Sequence, residues 1–142
     1  MAITSAICNS FKQEILVGTH NLTASTGDTF KLALFTSSAS LGAGTTAYST
    51  SNEVSGTGYS AGGATLTSVT PVLDSSTAVC DFDDVSFTSA SFTANGRLIY
   101  NSSQSDKAVA VIAFGGDKTV SSGTFTIQFP TADASNAIIR IA

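Results

Sequence analysis

Gly123-Thr124-Phe125-Thr126-Ile127-Gln128-Phe129 alternates without a break. Phe125, Ile127 and Phe129 fall on one side and Thr124, Thr126 and Gln128 on the other, the two-residue period of a strand with one buried face. Upstream, Ala108-Val109-Ala110-Val111-Ile112-Ala113-Phe114 is apolar throughout and reads as a strand covered on both faces. Between them, Gly115-Gly116-Asp117-Lys118 has the composition of a hairpin loop. Val85-Ser86-Phe87 is a short strand, and Asn95-Gly96 introduces Arg97-Leu98-Ile99-Tyr100. Before these, Thr65–Leu73 has β character, Asp74-Ser75-Ser76 turns, and Thr77–Phe82 returns with Ala78, Cys80 and Phe82 inward and Thr77, Val79 and Asp81 outward. Phe30–Phe35 opens the β region, with Phe30, Leu32 and Leu34 on one face, and Ala137–Ile141 closes it. About eight strands separated by Gly/Ser turns predict an all-β chain, a jelly-roll-like two-sheet β-sandwich with one short N-terminal helix.

That helix is signalled by Ile7, Phe11 and Ile15 at i, i+4 and i+8, with Cys8 and Leu16 widening the stripe and Lys12, Gln13 and Glu14 facing away. Thr4 or Ser5 is placed to cap its start and Gly18 to close its end, which predicts a helix over about residues 5–17. Residues 42–63 are a loop rich in Ser, Thr and Gly, with Tyr48, Val54 and Tyr59 as its larger apolar anchors. Loops of that length usually bind something or wrap over something. Residues 1–142 read as a single sandwich domain, with 1–17 as an arm and 42–63 as the long loop.

The chain has 142 residues, of which 22 are Ser and 20 Thr, and 11% are charged. An average soluble domain carries roughly 25% charged residues. The formal charge of −4 and a pI near 4.5, with no Lys/Arg cluster, lack the electrostatic footprint of a nucleic-acid binder. Nothing approaches the run of roughly 18 apolar residues that would span a membrane. The start, Met1-Ala2-Ile3-Thr4-Ser5, lacks the basic and apolar regions of a secretory signal. Cys8 and Cys80 are far apart, without CxxC or Cys/His company, and read as two small half-buried thiols.

Four patterns invite a chemical reading. Gly58-Tyr59-Ser60-Ala61-Gly62 matches the nucleophile elbow of serine hydrolases, but no helix pattern follows it and the single histidine, His20, lies upstream rather than after an acid. Gly56-Thr57-Gly58-Tyr59-Ser60-Ala61 satisfies a relaxed dinucleotide fingerprint without a βαβ unit to support it. Asp81, Asp83 and Asp84 could gather oxygens around Ca²⁺, yet no EF-hand pattern accompanies them, and a solvated strand edge accounts for them. His20 follows Gly18, placed to bond the helix's last carbonyls. No catalytic residue, cofactor site or metal site is assigned, and the chain reads as something other than an enzyme.

Three stretches carry a resemblance. They are Ser10-Phe11-Lys12-Gln13-Glu14-Ile15-Leu16 with His20-Asn21-Leu22, then Lys31-Leu32-Ala33-Leu34-Phe35-Thr36, then Asn52-Glu53-Val54-Ser55-Gly56-Thr57-Gly58-Tyr59 running to Gly63. With Leu98-Ile99-Tyr100-Asn101 and Val109–Phe114, they resemble small virion proteins of tailed bacteriophages, and most of all capsid cement (head decoration) proteins. The resemblance implies a structural protein on the outer capsid surface of the virion, made in the host cytoplasm. It would cement neighbouring major-capsid subunits and associate with itself, as a homodimer rather than a trimer. Ile7, Phe11, Ile15, Tyr48, Val54 and Tyr59 are then the expected contact residues, the other reading of the helix stripe being that it caps the end of its own sandwich. The competing reading is a tail- or fibre-associated carbohydrate or receptor module using Tyr48, Tyr59 and the acids of 81–84.

Overall fold

The computed structural model describes residues 2–142. Its elements run β1 (Ala6–Ile7), α1 (Asn9–Leu16), β2 (Phe30–Phe35), β3 (Ala64–Thr65), β4 (Ser68–Asp74), β5 (Thr77–Phe82), β6 (Val85–Asn101), β7 (Lys107–Ile127) and β8 (Ile139–Ile141). The eight strands form two antiparallel sheets, of order β1-β7-β6-β2-β3 and β4-β5-β8, in a sandwich-like arrangement that does not close into a barrel. The core between them is aromatic and aliphatic. Phe30 of the larger sheet meets Phe82 of the smaller at 5.8 Å between ring centroids, and Phe82 meets Phe129 at 5.7 Å. Leu32, Ala33, Leu34 and Phe35 are all buried, so β2 is covered on both faces.

The helix is shorter than its sequence pattern. Ala6 and Ile7 pair with Val111 and Ala110 as β1, so Ile7 belongs to a strand and only Phe11 and Ile15 remain on the helix stripe. Cys8 is the N-cap and makes no side-chain cap bond, while the Ser5 hydroxyl accepts the backbone N–H of Ala113 instead. Ladder pairing satisfies the early backbone more fully than one more helical turn would, and the cap moves with it. The C-terminus follows expectation: Gly18, at φ 77°, donates its N–H to the Ile15 carbonyl.

Two turn signals in the β6–β7 region sit inside strands. Asn95-Gly96 lies within the 17 residues of β6, which begins at the expected short strand Val85–Phe87. Gly115–Lys118 does not reverse the chain, because β7 continues from Lys107 to Ile127 and the hairpin loop is residues 102–106. Ala94 pairs with Lys118 and Gly96 with Ala113, so Asn95 alone faces Phe114, Gly115, Gly116 and Asp117. The excess residues form a wide bulge, with Gly115 at φ 78° and the Asn95 amide donating to Asp117 Oδ1 at 2.9 Å. Phe125 packs on Phe92 and Phe114 at 5.2 and 6.0 Å, which holds both sides of the bulge to one aromatic cluster.

The outward assignment of Val79 and Asp81 is also overturned: both are buried. The chain after Phe129 folds back over that face of the smaller sheet. There the Ile138 N–H approaches Asp81 Oδ2 at 3.4 Å, and Asp81 Oδ1 accepts the Phe82 N–H at 2.9 Å.

Candidate functional site

Three arrangements could carry function: a tyrosine–glutamate cluster, a buried histidine and an apolar groove. All three tyrosines of the chain gather near one carboxylate. Glu53 accepts the Tyr48 hydroxyl at 2.7 Å on Oε1, and the Tyr59 hydroxyl at 2.6 Å and Gly62 N–H at 2.8 Å on Oε2. Tyr100, from β6, donates to the Gly62 carbonyl at 2.6 Å and stacks on Tyr48 with centroids 4.5 Å apart. The Val54 N–H reaches the Leu34 carbonyl, and Glu53 bridges Phe35, so residues 52–54 run along the outer edge of β2. Val54 is itself buried in the core and Tyr48 and Tyr59 are half-buried against it. Burial, reinforced by the Glu53 carboxylate, pushes the Tyr48 and Tyr59 phenols far above their ordinary range, and burial lifts Tyr100 to about 12. The long loop thus wraps its own sheet, and the hydroxyls of Tyr48 and Tyr59 are already engaged within it.

His20 is fully enclosed and does not reach the helix carbonyls; Gly18 and Thr19 N–H groups cap those of Ile15 and Glu14. Its Nδ1 faces the Asn101 amide nitrogen at 2.9 Å, and its Nε2 faces Glu14 Oε1 at 3.0 Å. Asn101 Oδ1 accepts the Ser103 N–H, which fixes the amide so that its nitrogen points at the ring. The ring hydrogen is therefore assigned to Nε2, facing Glu14. Glu14, expected to face away, is turned inward by this bond and by Lys107 at 3.8 Å. Asn101 also donates to Asp28 at 2.8 Å. Burial pushes the Asp28 carboxyl up, but bonds from Asn101, the Asn21 N–H and Gln104 outweigh it and leave it below the usual range. The chain Glu14–His20–Asn101–Asp28 ties α1 to the start of β2 and the end of β6.

The groove lies between α1, residues 18–23 and the inner face of the smaller sheet. It encloses about 460 Å³ and is lined by Phe11, Ile15, Leu22, Ala78, Cys80, Ile139 and Ile141, with His20 in its wall. A second cleft of about 350 Å³ shares Phe11, Ile15, Ile139 and Ile141 and adds Leu16, Lys12 and Arg140. Large exposed apolar side chains concentrate here. Leu16, 86% exposed at the end of α1, and Ile141, 57% exposed, line the second cleft together, and Val17 beside Leu16 in sequence is 70% exposed. Leu73, 72% exposed, extends the same row across the sheet, because Leu73 pairs with Ala78 and Ala78 with Ile141. Burying one such side chain is worth about 1.5–3 kcal/mol, so this is where a protein partner would gain most.

Of the expected contact residues, Phe11 and Val54 are buried within the chain's own core, and Ile7, Ile15, Tyr48 and Tyr59 pack against it. Of these, Ile15 alone lines both clefts in a partly open position; the sequence stripe pointed to it and included Leu16, but Ile141 was not among the expected contacts. Asp81 is buried and bonded to backbone, burial raising its carboxyl, whereas Asp83 and Asp84 are exposed and Asp84 caps the Phe129 N–H. No group of His, Cys, Asp and Glu side chains is arranged to hold a metal ion among the described residues. Ser60 sits on an exposed turn whose carbonyl accepts the Gly63 N–H, and both ring nitrogens of His20 are engaged elsewhere. No protein-family model, curated protein or solved structure matches this chain.

Proposed function

We propose that this chain is a structural protein of a tailed-phage particle, which binds the outer capsid surface and cements neighbouring major-capsid subunits. The observation that carries the proposal is the pair of joined apolar clefts, with exposed Leu16 on the helix side and exposed Ile141 on the sheet side, and with Leu73 extending the row of Ile141 across β5. A partner covering these residues removes exposed leucine and isoleucine from water, with Lys12 and Arg140 at the rim of the second cleft. The low charge of the whole chain suits the same purpose, as does the resemblance of its motifs to cement proteins. A long loop pinned by Glu53 gives the stiff body that bridging two subunits requires.

Quantitative mass spectrometry of purified heads, separated from tails, tests this reading. A cement protein is present on the order of hundreds of copies per head, since it repeats with the shell's symmetry. A handful of copies, or recovery with the tail fraction alone, would overturn it.

A further inference from the structure

The sheet edges are not treated alike. The outer edge of β2 is sealed by Asn52–Val54, the Tyr59 hydroxyl and β3. The edge strand β4 carries Pro71 and a register shift between Val69 and Val72, both of which discourage pairing. β7 is different. β1 covers it only at Ala110 and Val111, and the Ser5 hydroxyl takes the Ala113 N–H. From Lys118 to Ile127 its only ladder partner is β6, among the described residues. Thr119–Phe129 contains no charged residue and no proline, the usual guards of an open edge.

We infer that β7 is a self-pairing edge: Gly123–Ile127 joins antiparallel to the same segment of a second copy, giving a two-fold dimer with one sheet running through it. The segment complements itself. With Phe125 opposite Phe125 on the axis, Thr124 lies opposite Thr126, and Ile127 lies opposite Gly123, which has no side chain to crowd it. Phe125 and Ile127 share the inward face of the strand, while Thr124 and Thr126 are exposed on the other. Aromatic pairs and Thr–Thr pairs are among those that stabilise neighbouring strands. An antiparallel contact between identical strands is isologous and closes at two copies. Two molecules of charge −4 repel, so contact is favoured where the surface is uncharged, as it is here.

Sedimentation of the isolated full chain tests this independently of any capsid, so either proposal can fail alone. The wild type should sediment as a dimer. Thr124→Lys with Thr126→Lys sets like charges opposite each other across the axis, on exposed positions, and should weaken the dimer at least tenfold while circular dichroism shows the fold retained. In a second test, single variants Thr124→Cys and Thr126→Cys are mixed and mildly oxidised. The mixture should give a disulfide-linked dimer in several-fold higher yield than either variant alone. A monomeric wild type at every concentration overturns the inference, as does a dimer that the lysines leave intact and the mixed cysteines fail to cross-link.

Discussion

The hydroxyl of Tyr59 lies 2.8 Å from the backbone nitrogen of Leu34 and accepts its hydrogen, so a side chain from the long loop occupies a place on the edge of β2 that a neighbouring strand would otherwise fill. The same hydroxyl donates to Glu53, which also holds Tyr48 and Gly62. One phenol therefore joins the loop's anchoring carboxylate to the ladder of the larger sheet.

Tyr59→Phe removes that acceptor and leaves the N–H of Leu34, a fully buried residue, without a partner. The expected loss is about 1–3 kcal/mol, the cost of an unsatisfied buried donor. Tyr48→Phe deletes one bond to Glu53 and strands no backbone group, so it should cost about 0.5–1.5 kcal/mol. Urea unfolding of the two variants distinguishes them, and an equal effect would contradict the edge-sealing role of Tyr59.

The three tyrosines also set the alkaline limit of the fold. Each is held protonated in the folded chain above its ordinary phenol range, through burial in every case and through the Glu53 bonds at Tyr48 and Tyr59. A group whose folded pKa is raised contributes stability that is complete below its unfolded value, near 10, and lost as pH rises beyond it. Phenolate absorbance should stay low while the chain remains folded and rise together with loss of secondary structure. Free ionisation of any tyrosine near pH 10, with the fold intact, would contradict the burial of the cluster.

Two glycines test the backbone. Gly63 has φ 77°, and a side chain there would collide with the Leu32 carbonyl where β3 joins β2. Gly115, at φ 78°, has nothing within 4 Å of where a side chain would stand. Gly63→Ala should cost at least about 3 kcal/mol, combining strain with a displaced strand. Gly115→Ala should cost only about 1 kcal/mol from backbone conformation alone. Thermal unfolding of the pair reads the difference directly.

Burial raises the thiol of Cys8 to about 11 and that of Cys80 to about 12, with Glu14 and Asp81 adding smaller contributions. Neither thiol should react with Ellman's reagent at neutral pH until the chain unfolds, whereupon both should react. Prompt labelling of the native chain would show that the groove wall around Cys80 opens.

The alternation at Thr124–Phe129 and Thr77–Phe82 made the strand content legible, and Phe30–Phe35 coincides with β2 residue for residue. Local pattern failed where tertiary pairing decided. Gly115-Gly116 has true turn chemistry, a positive φ, yet the packing of Phe114 and Phe125 together converts the turn into a bulge. Val79 looked outward because alternation names faces and not what covers them, and the chain near Ile138 covers that one. The groove was the least legible feature. Leu16 belongs to the helix stripe in sequence, whereas Leu73 and Ile141 come into one row only through the pairing of β4, β5 and β8.

The most direct measurement is the heat resistance of phage heads that lack this protein, before and after the purified chain is added back. Wild-type protein should bind and raise the temperature at which the heads release their DNA. Leu16→Asp with Ile141→Asp places charge on solvent-facing positions of the groove wall and should abolish both binding and protection. Heads that neither bind the wild-type chain nor gain heat resistance from it would contradict the proposed cementing role.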